Sequence, residues 1–179
     1  MSFLLENPYM KSVASAEILM DRAGVKPGMR ILDVGCGAGR IAIPAALRVG
    51  EAGEIVALDV QAGMLKKLEH EAKKQGVTNI RTIHSGAGLG TSVPGVFDRV
   101  FIVTALGEIP DRPAALREAR AALAPDGMLS ITEVFPDIHF QTRNRVKGLA
   151  QECGFELEET FGNSLAFTMN FRLKSYQSH

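Results

Sequence analysis

The chain has only two cysteines, Cys36 and Cys153, among 179 residues. Two thiols make no disulfide framework, a usage that suits a reducing, cytoplasmic compartment. There is no surplus of charge, because twenty Lys and Arg balance twenty Asp and Glu. The chain as a whole therefore lacks the electrostatic pull toward nucleic acid or an anionic membrane that a basic protein has. No run of about 18 apolar residues exists, which excludes a membrane-spanning helix. The opening residues, Met1 to Pro8, have neither a basic n-region nor a long apolar segment, so a secretory signal is not expected. Internal repeats, low-complexity tracts and domain boundaries are also missing. What remains is 46% hydrophobic and 22% charged, which reads as one globular domain over 1–179 with a sizeable core.

The most informative stretch is Arg30-Ile31-Leu32-Asp33-Val34-Gly35-Cys36-Gly37-Ala38-Gly39-Arg40. Ile31, Leu32 and Val34 read as a short buried strand, and Ile41, Ala42, Ala45, Ala46 and Leu47 suit a following helix. A strand, a glycine-rich turn and a helix form the first βα unit of a nucleotide-binding sheet. Glycine accepts positive φ without a Cβ clash and lets a ligand lie against the backbone beside a helix N-terminus. The spacing is D-x-G-x-G-x-G. The dinucleotide fingerprint G-x-G-x-x-G, counted from Gly35, needs glycine where Arg40 stands, so a pyrophosphate-binding loop is disfavoured. Cys36 reads as a small residue fitting a tight turn.

The rest of the chain extends this unit. Residues 12–23 predict a helix closed by Gly24, and Pro27-Gly28 a turn into the first strand. Pro44 requires that the helix after the glycine loop be near its start there, or kinked. Strands are predicted at 54–59, 80–83, 96–103, 128–134, 155–161 and 165–173. Helices are predicted around 64–72, 112–123 and 142–153. Gly162-Asn163 reads as a two-residue hairpin turn. The alternation of apolar odd positions with polar or small even ones from Leu165 to Leu173 predicts one buried face. Five βα units and a hairpin give a mostly parallel α/β sheet with helices on both faces. Asp59 ends the second strand about 20 residues past Gly39, where an acidic side chain can reach ribose hydroxyls. It can equally be the cap of the next helix.

On these residues the chain resembles the class I S-adenosylmethionine-dependent methyltransferases. D-x-G-x-G-x-G is similar to their motif I, and Phe97-Asp98-Arg99-Val100 to their fourth strand. Leu106-Gly107-Glu108-Ile109-Pro110-Asp111, Ala115-Leu116 and Leu123-Ala124-Pro125-Asp126-Gly127 look like the ubiquinone/menaquinone-biosynthesis type. The similarity runs from about Pro27 to Glu133. It implies a Rossmann-like seven-stranded sheet in the order 3-2-1-4-5-7-6 with strand 7 antiparallel. It implies S-adenosylmethionine as cofactor, S-adenosylhomocysteine as its product and a small-molecule methyl acceptor. Cofactor-binding residues would be Asp33, Gly35, Cys36, Gly37, Gly39, Asp59, Val60, Met64, Ser85, Gly86, Ala87 and Thr104. Acceptor-side residues would be Tyr9, Leu106, Glu133, Phe135 and Asp137, with His139 the candidate base and residues 1–26 a lid and helix segment. Many relatives carry an acid after the third strand; this chain reads His84-Ser85-Gly86-Ala87-Gly88-Leu89 there.

Other members of the fold are disfavoured by what is missing. Thr104-Ala105-Leu106-Gly107 replaces the N/D-P-P-Y/F motif of amino-methyltransferases acting on nucleobases. No acidic pair follows strands four and five to hold magnesium, so no metal is expected. Two cysteines are too few for arsenite methylation, and neither follows a proline as cytosine C5 chemistry needs. The favoured reading is a metal-independent methyltransferase of a small molecule, working by proximity and alignment. The alternatives are a non-catalytic cofactor-binding subunit and an RNA or protein methyltransferase; the zero net charge weighs against RNA. A homodimer stays open.

Overall fold

The computed structural model describes residues 15–91, 93 and 95–175. The N-terminal lid expected around Tyr9 lies outside the described residues. Helix α1 (Ala16–Arg22) opens on Ser15, whose hydroxyl accepts from the Ile18 N–H at 3.4 Å. It closes at Gly24, at φ +59°, with Val25 N–H donating to Met20 O and Gly24 N–H to Asp21 O. That pair of bonds satisfies the last carbonyls of the helix.

The sheet follows. Its strands are β1 (Arg30–Val34), β2 (Glu54–Asp59), β3 (Ile80–His84), β4 (Phe97–Val103), β5 (Leu123–Val134), β6 (Phe155–Gly162) and β7 (Ala166–Leu173). Their order is β3-β2-β1-β4-β5-β7-β6, parallel except for β7, which runs antiparallel to both neighbours. Helices α2 (Ala42–Val49), α3 (Ala62–Lys74), α4 (Arg112–Ala122) and α5 (Arg143–Glu152) complete the layers. The central strands are buried on both faces, so successive residues feed opposite cores. Ile31, Ile55, Ala57 and Phe101 meet α1, α2 and α3. Leu32, Val56, Val100, Ile102, Leu129 and Ile131 meet α4 and α5. Pro44 sits in the first turn of α2, where its missing N–H costs no helical bond.

Four features depart from the sequence reading. First, the β3–β4 connection contains no helix among the described residues, so there are four βα units with helices, not five. Second, β5 begins at Leu123; Pro125-Asp126-Gly127 is a bulge within the strand, where the pairing shifts between Phe97 and Arg99. Third, the hairpin loop is 163–165, not Gly162-Asn163. Gly162 still pairs with Phe167, and Asn163 Oδ1 accepts from the N–H groups of Leu165 and Ala166, closing a longer turn. Fourth, β7 is buried on both faces. Thr168 and Asn170 are polar but wholly buried, because α1 packs over them. Arg22 donates to Thr168 Oγ1 at 2.9 Å, and Asn170 Nδ2 donates to Arg22 O at 2.8 Å.

Candidate active site

The glycine loop leaves β1 at Val34 and folds back over β2. The N–H groups of Gly35 and Cys36 both donate to Leu58 O, and Gly39 N–H donates to Cys36 O. The three glycines serve different ends. Gly35 and Gly39 are excluded from carrying a side chain by packing as well as by positive φ, since a Cβ would sit 2.6 Å from Ala105 Cβ at Gly35 and 2.9 Å from Leu68 Cγ at Gly39. Gly37, at φ +54°, has nothing within 4 Å of that position. Its freedom is conformational, and its face is open to a ligand. Burial pushes the Cys36 thiol well above its ordinary range, with the carboxylates of Asp33 and Asp59 adding to the rise. A buried thiol held in its protonated form is a poor nucleophile.

Two acids bracket this loop. Asp59 is nearly buried at the end of β2. Its Oδ2 accepts from Gly37 N–H and its Oδ1 from Gln61 N–H, both at 2.8 Å. Each oxygen keeps a further lone pair for a hydroxyl. The cap residue of α3 is Gln61, with no side-chain cap bond, so Asp59 braces the glycine loop rather than capping the helix. Asp33, 2% exposed, lies under the start of α2, and its Oδ2 has no hydrogen-bond partner. Burial pushes its carboxyl up to about 7; Arg40 and the Ala42 N–H pull it down, and Asp59 raises it further. An unpartnered buried carboxylate oxygen calls for a donor or a cation.

A flat apolar edge stands beside them. Val60 is largely exposed, and a Cβ on Gly86 would meet both Val60 Cγ1 at 3.1 Å and Leu89 Cδ1 at 2.8 Å. Met64 is half-buried on the first turn of α3. Leu89 is a residue the sequence reading left without a role; its exposure beside Val60 marks it. Ser85 and Ala87 lie in the same segment, with the Ser85 hydroxyl bonded to Thr91 Oγ1. Glu118 of α4 accepts from the N–H groups of Gly88 and Gly90, each at 2.6 Å, and holds the segment in place.

Thr104 follows β4 at φ +50°, a conformation rare for a β-branched residue. It is held there by its N–H to Thr132 O and its hydroxyl to Val103 O, both at 2.8 Å. Strain of this kind concentrates at functional turns. Two residues of the expected acceptor wall are buried in this structure. Leu106 is fully buried core. Glu133 is 2% exposed and lies beneath the surface, because its Oε2 accepts from Gln141 N–H at 3.1 Å and so ties down the 135–141 segment. Burial pushes its carboxyl up to about 7. Phe135 and Ile138, by contrast, are 53% and 80% exposed. Asp137 is half-buried and accepts from His139 N–H at 2.7 Å, and the His139 side chain is exposed. Among the described residues no group of three His, Cys, Asp or Glu side chains is placed to hold a metal.

Residues 25–163 match a family model described as a methyltransferase domain. The chain is 34% identical over 122 residues to the nocamycin O-methyltransferase of Saccharothrix syringae, an alignment covering 68% of this chain and 43% of that protein. It is 38% identical over 112 residues to the demethylmenaquinone methyltransferase of Geobacillus kaustophilus, covering 63% and 48%. The chain thus spans about half the length of these relatives. A crystallised S-adenosylmethionine-dependent methyltransferase from Aquifex aeolicus superposes with a TM-score of 0.82 at 22% identity, covering 94% of this chain and 95% of that one. That likeness concerns the fold. A bent loop with an open central glycine, two flanking acids and a matching domain model place the chain in one family: it belongs to the class I S-adenosylmethionine-dependent methyltransferases.

Proposed function

We propose that this chain transfers a methyl group from S-adenosylmethionine to a small, largely apolar molecule, without a metal ion. The observation that carries the reading is the conjunction at one loop of the open face of Gly37, the unpartnered Asp33 Oδ2 and the spare lone pairs of Asp59. These residues fit the cofactor. Asp59 accepts from the ribose hydroxyls, and Asp33 accepts from the amino group of the methionine end. Val60, Met64, Gly86 and Leu89 flank the adenine, with Ser85 and Ala87 behind them. Gly35, Cys36 and Gly39 hold the loop in shape, and Thr104 backs the reacting end.

The cofactor supplies an activated methyl on a sulfonium, so the chain's own residues have to position the acceptor in line and exclude water. Phe135 and Ile138 offer apolar surface at the C-terminal end of β5, where ligands of open α/β sheets lie. The small-molecule acceptor is also supported by the two relatives, which by name methylate nocamycin and demethylmenaquinone. His139, exposed on the same segment, is our candidate to take a proton from an acceptor that arrives protonated.

Calorimetry with S-adenosylmethionine, S-adenosylhomocysteine and NAD tests the cofactor. The first two should bind and NAD should not; tight NAD binding without heat from the others would sink the reading. Labelled cofactor incubated with fractionated small-molecule extracts, with and without EDTA, then tests the reaction. The expected result is a labelled, organic-extractable product that survives EDTA. Label found only in macromolecules would favour the RNA or protein alternative.

A further inference from the structure

Leu89 is 72% exposed, so little packing holds its side chain, yet it stands against Gly86 opposite Val60. The backbone on either side of it is what is fixed. Gly88 N–H donates to Glu118 Oε2 and Gly90 N–H to Glu118 Oε1, each at 2.6 Å. One carboxylate on α4 thus grips the two amides that flank Leu89, and it uses both of its oxygens to do so. Bonds of this charge-assisted kind are about twice as strong as neutral ones. Gly88 and Gly90 lie at φ +82° and +76°, a conformation that glycine supplies and that lets nearby N–H groups converge on an anion. A Cβ on Gly88 would sit 2.7 Å from Asp111 O and 3.2 Å from Ala115 N, so the loop backbone lies directly on the first turn of α4. The hydroxyls of Ser85 and Thr91 are bonded to each other, and that of Thr91 also donates to Gly86 O at 3.4 Å, which closes the segment on itself.

A leucine between two glycines is the kind of residue that moves most freely when nothing holds its backbone. An apolar wall that has to be ordered as the ligand arrives weakens binding, and ordering a single residue is enough to change affinity about tenfold. We infer that Glu118 is a positioning residue for the base of the cofactor: it touches no ligand, and it acts through the Gly88 and Gly90 amides to keep Leu89 in place as the wall facing Val60 across Gly86. This rests on the cofactor reading above, in which Val60 and Leu89 flank the adenine. It assigns a binding role to a helix residue that lies outside the site and belongs to none of the sequence motifs.

The test is a double-mutant cycle on the full chain, read by calorimetry with S-adenosylhomocysteine. Leu89→Ala should weaken binding about 10-fold by removing apolar contact with the base. Glu118→Gln turns one acceptor oxygen into a donor, frees the wall and should also cost about 10-fold. The double variant should be no weaker than Leu89→Ala alone, because without that side chain Glu118 has nothing left to position. Thermal melting is the folding control. Where Gln unfolds the protein, Gly88→Ala takes its place in the cycle, since it lifts the loop from Asp111 O and leaves Glu118 intact. Additive losses, about 100-fold in the double variant, would make Glu118 a general support and overturn the inference. Unchanged affinity in either single variant would overturn it as well. In those cases a wild-type chain that binds S-adenosylhomocysteine leaves the cofactor reading standing. Failure of the wild type to bind it would overturn that reading, and this inference with it.

Discussion

Asp59 shows how one side chain can carry two duties. Its carboxylate holds Gly37 N–H and Gln61 N–H, which fixes the glycine loop against the start of α3. In the proposed function the same oxygens offer lone pairs to the ribose. Asp59→Ala should therefore have two effects. Cofactor affinity should fall about 10- to 150-fold through the lost charge-assisted bond. Stability without cofactor should also fall, by roughly 1–3 kcal/mol, because two backbone donors lose their acceptor. Calorimetry reads the first and urea unfolding the second. Full affinity in a destabilised variant would leave Asp59 with the bracing role alone. From sequence, Asp59 was legible as an acid at the right distance, but its second duty was not, since a bond to Gly37 is a contact across the fold.

At the scale of elements, the proposed acceptor side rests on a contact between two loops. The short 3₁₀ turn Leu106–Glu108 after β4 touches the 135–141 segment after β5. A Cβ on Gly107 would overlap the backbone carbonyl of His139, which also accepts from Gln141 Nε2 at 2.6 Å. Backbone cannot swing aside as a side chain can, so Gly107→Ala must push the two loops apart. Its expected cost is roughly 1–3 kcal/mol of stability. Affinity for S-adenosylhomocysteine should be unchanged, because the glycine loop lies elsewhere. Melting and calorimetry on the variant check this; lost cofactor affinity with a normal melting temperature would mean that these loops serve the cofactor instead. The parallel strands were readable because each is a short apolar run between turn signals. The β3–β4 connection, which carries no helix among the described residues, was hard to read as a unit, since a 12-residue span rich in Gly and Ser leaves no period to count. The two-sided burial of β7 was hidden too. Thr168 and Asn170 look like a solvent face until α1 supplies Arg22 as their partner.

For the whole molecule, the consequence is an unusual pH dependence. Two buried carboxyls sit on opposite faces of the sheet, Asp33 under α1 and α2 and Glu133 toward α4 and α5, each pushed by burial up to about 7. A carboxyl whose folded pKa lies above its unfolded one binds its proton more tightly when folded. For Glu133 the penalty is therefore absent below its ordinary value of 4.5, grows as pH rises, and is complete above about 7. Its full size is on the order of 3 kcal/mol at most, taking about 1.4 kcal/mol per pH unit. The measurement is urea unfolding of wild type and Glu133→Gln across that window. The stability of the variant relative to wild type should climb between pH 4.5 and 7 and level off beyond. Asp33 should respond the same way without cofactor, and differently with it. An ammonium beside Asp33 favours the ionised form, so cofactor binding near pH 7 should release a proton. Calorimetry in buffers of different ionisation enthalpy counts that proton, and Asp33→Asn should abolish it. Proton uptake on binding, or release that persists in Asp33→Asn, would remove Asp33 from contact with the cofactor's amino group.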